Sequence, residues 1–237
     1  MNVLVINGSP KGAKSNTMKL TEAFIKGMET VSPIETERLT VSQLEIKPCL
    51  GCFHCWKNTP GKCCIPDDMG MVIEKILAAD VLLYSFPLYY FGLPSQSKAL
   101  LDRQLPMMLP FMEKGDESRS DSGSHPPRYD LSKKRFVLIS TCGFYTAKGN
   151  YDAINTQFDR HLGKGRYETI YSGQGELFHV AELQKRTDEY LSAVEAAGRE
   201  FLTGTISADT KERLSELLYP RDVFERMADA SWGIDKR

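Results

Sequence analysis

Short apolar runs alternate along the chain with longer amphipathic segments. Val3–Ile6 is a β-branched run that ends at Asn7 and Gly8, which predicts a strand buried on both faces. Asn16–Met28 carries apolar residues at close to helical spacing and predicts a helix. The alternation continues, with strands predicted at Ile34–Leu39, Val81–Phe86, Arg135–Ser140 and Tyr167–Ser172 and helices at Asp67–Leu77, Gln96–Leu105, Tyr151–Leu162 and Val180–Leu202.

Strands that alternate with helices form βαβ units, so we predict an α/β fold with a parallel sheet covered by helices on both faces. Five strands in a chain of this length favour the flavodoxin-like doubly wound order 2-1-3-4-5. In such a sheet, ligands bind where the strand order reverses, at the carboxyl ends of strands 1, 3 and 4. The loops that follow these three strands are therefore expected to form the functional site.

Residues 1–205 are predicted to form this domain, and residues 206–237 a helical C-terminal extension. The extension has apolar residues at helical spacing on both sides of Pro220, so we expect it to pack on the domain or on a partner subunit. Within the domain, residues 48–64 form a cysteine-rich loop and residues 112–130 a polar loop rich in Ser, Gly and Pro.

The composition narrows the range of partners. The 237 residues include 30 Lys and Arg against 31 Asp and Glu, so no basic excess points to nucleic acid. The N-terminal apolar run is too short for a signal peptide or a membrane span, and we predict a soluble, cytoplasmic protein with no membrane partner. In a reducing cytoplasm, clustered cysteines are more often ligands or redox groups than disulfides.

The loop after the first strand reads NGSPKGAKSNT and offers the chemistry of a phosphate site. Its hydroxyl and amide side chains stand beside a predicted helix N-terminus, which attracts anions through its free N–H groups and its dipole. The candidate residues are Ser9, Lys11, Ser15, Asn16 and Thr17. The loop is not a P-loop, because three residues separate its glycines where that motif has four. An ordinary turn with a helix cap is the alternative.

Three adjacent aromatic residues follow the third strand, in the loop FPLYYFGLPSQSK. Aromatic rings in a loop bounded by Pro87 and Pro94 at a sheet edge suit a planar ligand. A subunit interface or core filling is the alternative. The loop after the fourth strand begins with Thr141, Cys142 and Gly143, small residues that let the backbone approach a ring.

These three loops resemble the flavodoxin-like NADPH-dependent FMN reductase superfamily, over residues 1 to about 200. The resemblance implies that FMN is the cofactor and that Ser9, Lys11, Ser15, Asn16 and Thr17 hold its phosphate. It implies that Pro87, Leu88, Tyr89, Tyr90, Phe91, Thr141, Cys142 and Gly143 line the isoalloxazine ring. Lys11 stands where the family commonly has arginine, and lysine offers a phosphate a point charge without the bidentate fork.

The same resemblance implies an oxidoreductase. FMN would take electrons from NAD(P)H or a redox partner protein and pass them to a quinone, another flavin or another small-molecule acceptor. Because the flavin carries this chemistry, we name no catalytic acid or base. Relatives of this kind imply a homodimer or homotetramer. An electron-transfer flavoprotein without a dedicated substrate, and a flavin-free regulatory or binding module, are the alternative interpretations.

Five of the six cysteines lie in the stretch PCLGCFHCWKNTPGKCC. The spacing Cys49-x2-Cys52-x2-Cys55-x7-Cys63 suits four ligands around a [4Fe-4S] cluster. It resembles the iron–sulfur flavoprotein branch of the same superfamily, which implies Cys63 rather than Cys64 as the fourth ligand. A zinc site and thiols that hold no metal are the alternatives.

Overall fold

A computed structural model describes residues 1–113 and 123–233. Within them, five strands form one parallel sheet in the order β2-β1-β3-β4-β5, so the predicted α/β, flavodoxin-like doubly wound fold is confirmed. The strands are β1 (Asn2–Asn7), β2 (Glu35–Thr40), β3 (Val81–Pro87), β4 (Arg135–Thr141) and β5 (Tyr167–Ser172).

The α-helices of the described residues lie on both faces of this sheet and in the C-terminal region. They are α1 (Asn16–Glu29), α2 (His54–Lys57), α3 (Met69–Ala78), α4 (Ser95–Asp102), α5 (Asp152–Leu162), α6 (Gln184–Thr203), α7 (Ala208–Ser215) and α8 (Arg221–Trp232).

The sheet separates two hydrophobic cores, because successive side chains of a strand point to opposite faces. Val3 and Val5 pack with α1 and α6 on one face. Leu4 and Ile6 pack with α3 and α5 on the other. The first six residues of β3 are fully buried, as expected of an interior parallel strand.

Helices α1 and α6 touch at the level of their backbones. A Cβ on Gly27 would lie 1.9 Å from the carbonyl oxygen of Glu195, and a Cβ on Gly198 would lie 2.0 Å from that of Phe24. Side chains at either position would push the helices apart. This contact fixes the position of α1, whose N-terminus follows the loop after β1.

The C-terminal region packs on the domain, as one of the two predicted arrangements has it. Leu214, Leu218 and Phe224 are buried in the core beside α1 and α6. The side chain of Gln174 bonds both the N–H and the carbonyl of Tyr219, which joins this region to the end of β5. The division at residues 205 and 206 stays a prediction, and residues 234–237 lie outside the described residues.

Several boundaries differ from the predicted ones. Helix α4 ends at Asp102 and is followed by a 3-10 turn at Leu105–Met107, because Pro106 has no N–H with which to bond the Asp102 carbonyl four residues earlier. Helix α6 begins four residues later than predicted, after the extended residue Val180 and a 3-10 turn at Ala181–Leu183. The four-residue helix α2 was not predicted, since it is too short to show a period.

The predicted polar loop at residues 112–130 is described only in part, since residues 114–122 lie outside the described residues. At its base, Glu113 and Ser124 exchange backbone hydrogen bonds. Among the described residues, no helix is both long and apolar enough to cross a membrane.

Candidate functional site

The loop between β1 and α1 surrounds a helix N-terminus with polar groups. Ser15 caps α1, since its Oγ accepts a hydrogen bond from the Met18 N–H at 3.1 Å. The other N–H groups of the first turn lack an intrahelical partner, which makes this end of α1 attractive to an anion. Ser9 in the loop and Thr17 in the first turn of α1 are buried, and Lys11 is exposed at the rim of the loop.

A hydrogen bond joins this first loop to the end of β4. Thr17 Oγ1 lies 2.6 Å from Thr141 Oγ1, and both side chains are buried. One helical turn later, Thr21 Oγ1 donates to Ser85 Oγ of β3 at 2.8 Å. Asn16 Oδ1 is buried beside these bonds without a hydrogen-bond partner among the described residues. The loops after β1, β3 and β4 therefore meet at one edge, as the topology predicts.

The aromatic loop after β3 is a tight turn held in a strained backbone conformation. Tyr89 and Gly92 exchange two backbone hydrogen bonds of 3.0 and 2.9 Å. The two residues between them have positive φ, 48° at Tyr90 and 62° at Phe91. Left-handed backbone costs a residue with a Cβ about 1–2 kcal/mol, and such strain concentrates at functional sites.

The strained turn presents its rings to solvent. Tyr90 is fully exposed, and Tyr89 and Phe91 are about half exposed, at 47% and 48%. The ring of Phe91 stacks on that of Phe144 from the loop after β4, with centroids 5.4 Å apart and planes 17° apart. The two loops together offer aromatic surface to a planar ligand.

The other residues predicted to line the isoalloxazine ring differ in how far their side chains are exposed. Leu88 is buried in the core beside α3, so its backbone rather than its side chain faces the edge; its N–H donates to the Thr141 carbonyl. The Cys142 side chain is also buried, and burial raises the pKa of its thiol. Pro87 is half-buried at the end of β3, and Gly143 is exposed.

Two residues at this edge were not predicted. His179 Nε2 lies 2.8 Å from the Lys14 carbonyl oxygen and so touches the first loop. The Glu176 carboxylate lies 3.6 Å from where a Cβ on Gly143 would be. Burial raises the pKa of Glu176, although the charge of Lys11 opposes this shift. Both residues belong to a 3-10 turn at Gly175–His179, and no sequence motif marks it.

The cysteine-rich loop gathers five thiols around one small cavity. The cavity holds about 20 Å³ and is lined by Cys49, Cys52, Cys55, Cys63 and Cys64 together with Arg103 and apolar residues. Cys55 is buried, and Cys52 Sγ lies 3.8 Å from Cys64 Sγ. Phe53, which also lines the cavity, stacks on Trp56 with ring centroids 5.1 Å apart. The unpredicted helix α2 and a positive φ of 84° at Gly61 turn the chain back on itself.

A buried ion pair fixes both ends of this loop. Arg103 donates from two nitrogens to the two oxygens of Asp67, each at 2.8 Å, and their side chains are 1% and 0% exposed. Arg103 also donates to the Lys47 carbonyl, and Asp67 accepts from the Lys47 and Met69 N–H groups. Burial would raise the pKa of Asp67, but these bonds hold it below its usual value.

The guanidinium of Arg103 also faces the thiols. Its Nε is buried without a hydrogen-bond partner among the described residues. Burial lowers the pKa of Arg103, and Asp67 and Cys63 together raise it above its ordinary value. Burial likewise raises the pKa of the Cys55 thiol, and Cys63 adds to the shift. A buried cation with a free donor favours an anionic group in the cavity.

The arrangement of these thiols is not that of a closed metal site. Among the described residues, no group of three or more His, Cys, Asp or Glu side chains is placed to hold a metal ion. The donor set is nevertheless the one that iron–sulfur clusters use. A cavity of 20 Å³ has room for about one water, so a cluster would spread the loop outwards.

Comparison with known proteins places this site in context. A family profile described as a flavodoxin-like fold matches residues 1–198. An iron–sulfur flavoprotein of Methanocaldococcus jannaschii is 35% identical over 111 residues, which are 47% of this chain and 55% of that protein. An FMN-dependent NADH:quinone oxidoreductase of Nostoc is 27% identical over 66% of this chain and 75% of that protein. The matches to the iron–sulfur flavoproteins span about half of those proteins.

Solved structures share the fold at low sequence identity. An FMN-dependent NADH-azoreductase from Bacillus anthracis in complex with FMN has a TM-score of 0.57 and 18% identity, over 84% of this chain and 98% of that one. An NAD(P)H:quinone oxidoreductase from Methanothermobacter marburgensis has a TM-score of 0.57 and 14% identity, over 85% and 97%. At these identities the likeness establishes the fold.

Because the backbone of the aromatic turn is strained, we expect substitutions that accept its positive φ angles to stabilise the protein. Replacing Tyr90→Asn together with Phe91→Gly puts residues that accept positive φ at both central positions. We expect the free energy of unfolding to rise by about 1–2 kcal/mol in urea denaturation. Tyr89→Asn, next to the turn but without positive φ, serves as the control and should give no gain. An unchanged stability in the double variant would show that the turn is not strained.

The buried ion pair predicts a large loss when one charge is removed. Asp67→Asn leaves the Arg103 guanidinium buried without its counter-ion, and we expect the free energy of unfolding to fall by about 3–5 kcal/mol. Asp68→Asn is the matched control, because the Asp68 carboxylate accepts from the Glu45 N–H and, within residues 1–113 and 123–233, bonds to no guanidinium. Its stability should change by less than about 1 kcal/mol. Equal losses in the two variants would contradict the anchoring role of Asp67.

Proposed function

Because this chain belongs to the flavodoxin-like fold family, we propose that it is an FMN-dependent oxidoreductase that passes electrons from NAD(P)H to a small-molecule acceptor such as a quinone. One observation carries the proposal. At the edge where the strand order reverses, a helix N-terminus and a strained, exposed aromatic turn are tied together through Thr17 and Thr141. A phosphate and a planar ring on one ligand suit these two features. The names of the quinone oxidoreductase and azoreductase relatives support the reaction class.

The phosphate would bind at the start of α1. The free N–H groups of the first helical turn would donate to its oxygens, and the Ser9 and Ser15 hydroxyls lie beside them. Lys11 would supply a positive charge from the rim. The His179 ring, fixed to the Lys14 carbonyl, would keep this loop in place.

The ring would lie against the aromatic turn and the loop after β4. Tyr89, Tyr90 and Phe91 would orient it, and backbone groups of residues 141–143 would approach its edge. FMN, when bound, supplies the hydride and electron chemistry. The chain's own contribution is to bind, to orient the ring and to leave one face open to NAD(P)H and the acceptor in turn.

The cysteine-rich loop would hold a [4Fe-4S] cluster. We assign Cys49, Cys52, Cys55 and Cys63 as its ligands, and Arg103 as the buried cation that balances its negative charge. The free Nε of Arg103 supports this assignment, because an anionic group in the cavity would satisfy it. The iron–sulfur flavoprotein relatives support it from sequence.

An electron-transfer flavoprotein without a dedicated substrate is the second candidate. The complete exposure of Tyr90 favours it, since an open edge suits contact with a redox protein. The same exposed rings support the expected homodimer or homotetramer, in which a second copy would cover them. Cytoplasmic location also stays a prediction.

Flavin titrations test the proposed FMN site. Lys11→Ala should weaken FMN binding about tenfold, because a charge-assisted contact to the phosphate is lost. Riboflavin, which lacks the phosphate, should bind the variant and the wild type equally. Lys26→Ala, at the far end of α1 and paired with Glu195, is the matched control and should bind FMN normally. If Lys11→Ala weakens riboflavin as much as FMN, the phosphate does not bind at this loop.

Iron analysis tests the assigned ligands. Protein purified without oxygen should carry about four irons and four acid-labile sulfides per chain. Cys63→Ala should lose most of the iron, whereas Cys64→Ala should retain it, although both thiols line the cavity. Cys142→Ala, whose thiol lies at the other loop, controls for the loss of any cysteine. If Cys64→Ala loses its iron and Cys63→Ala keeps it, the fourth ligand is Cys64 and the assignment of Cys63 is wrong.

A further inference from the structure

A second cavity lies at the opposite end of the sheet from the loops after β1, β3 and β4, which are called the flavin loops below because FMN is proposed to bind there. It has a volume of about 500 Å³ and opens between the last turns of α3, α4 and α5. Leu82 and Phe136, near the amino ends of β3 and β4, form its floor. None of the predicted flavin or cysteine ligands lines it.

The short helix α4 explains why a cavity remains beside this part of the sheet, although Leu82 and Phe136 are themselves buried. Eight helical residues rise about 12 Å, whereas the seven residues of β3 extend about 23 Å. Beyond Asp102 the chain leaves the helical path, and Met107 and Leu131 form cavity walls in its place. The gap is therefore built into the fold by the early end of α4.

Two buried polar side chains line this cavity, whose other polar and charged residues include Lys134 and Arg166. Tyr84 and Gln104 are 6% and 5% exposed. Gln104 Nε2 and Tyr84 Oη are 3.5 Å apart, which is the outer limit of a hydrogen bond. Burial raises the pKa of Tyr84 to about 12, so its hydroxyl keeps its proton. Both groups can therefore donate to an acceptor in the cavity.

The charged groups at the mouth are already engaged. The Lys134 ammonium donates to the Leu77 and Ala79 carbonyls, and Arg166 donates to the Leu131 and Ser132 carbonyls. Asp102 is paired with Lys98, and the Asp130 carboxylate accepts a hydrogen bond from the Ser132 N–H at 2.9 Å. An ionic ligand would have to break these contacts, so the cavity favours a neutral one.

We propose that this cavity is a second small-molecule site, which binds a neutral aromatic ligand whose carbonyl oxygen accepts hydrogen bonds from Tyr84 and Gln104. Simple quinones have this chemistry, and 500 Å³ lies in the range of small-molecule sites. The site is separate from the flavin loops and does not depend on the proposed function. It adjoins the cysteine-rich loop, because Leu105 lines both cavities.

Fluorescence of Trp56 can report on this cavity. The Trp56 indole N–H donates to the carbonyl of Met108, a cavity-lining residue, at 3.0 Å. The only other tryptophan, Trp232, is 74% exposed and can be removed by Trp232→Phe. Duroquinone is the probe, because its fully substituted ring resists addition by the exposed thiols. The titration uses the protein as purified, with its bound cofactors.

We expect saturable quenching of Trp56 by duroquinone. Tyr84→Phe should raise the dissociation constant about five- to tenfold, through loss of one hydrogen bond. Tyr190→Phe removes another fully buried hydroxyl, bonded to the Leu214 carbonyl outside this cavity, and should leave the constant unchanged. Leu101 lines the cavity and is half-buried, so Leu101→Phe narrows the cavity and should also weaken duroquinone binding. This second variant tests the site if Tyr84→Phe does not fold.

Two results would overturn the proposal. Absence of saturable quenching in the wild type would show that duroquinone does not bind beside Trp56. Binding that Tyr84→Phe and Leu101→Phe leave unchanged, but that Tyr90→Ala abolishes, would place the quinone at the flavin loops alone. Either result leaves the proposed FMN site intact, since that site is tested by the FMN and riboflavin titrations.

Discussion

The buried pair of Asp67 and Arg103 is the contact on which the arrangement of the candidate redox loops depends. Asp67 follows the cysteine-rich loop, and Lys47, which bonds to both members of the pair, precedes it. Arg103 follows α4, the helix that begins just after the aromatic turn. One ion pair thus ties the thiols to the segment that carries the ring-facing residues. Because both charges are shielded from water, neither can be removed without a large loss of stability.

The candidate site is assembled from features that cost stability. Two aromatic residues in left-handed backbone, the unpartnered Asn16 Oδ1 and the free Nε of Arg103 are each unfavourable alone. All of them lie at one end of the sheet or at the thiol cavity beside it. At the opposite end of the sheet, Thr36 Oγ1 of β2 is also buried without a hydrogen-bond partner among the described residues, and a cavity remains beside the short α4. A ligand that satisfies these groups would return part of the cost.

The interior strands β1, β3 and β4 could be predicted because strands buried on both faces of a parallel sheet consist of nearly continuous apolar residues. The bounds of β5 were predicted to the residue, and the strand order followed from the βαβ alternation. The three loops were found because a helix N-terminus and adjacent aromatics are local signals. Asp67 and Arg103 could not be paired, since they lie 36 positions apart and each has a local explanation as a helix cap or a surface charge. Glu176 and His179 carry no motif, and the second cavity arises from where α4 ends.

The absorption spectrum of the protein purified without oxygen, with iron and acid-labile sulfide measured on the same sample, tests the central claim most directly. Our account predicts flavin bands on a broad cluster absorption, with about one flavin and four irons per chain. Flavin without iron would confine the redox site to the three loops and leave the thiols without a metal. A colourless protein that takes up neither added FMN nor iron and sulfide would contradict the account, because the anion-binding helix end, the aromatic turn and the thiol cavity would then serve some other purpose.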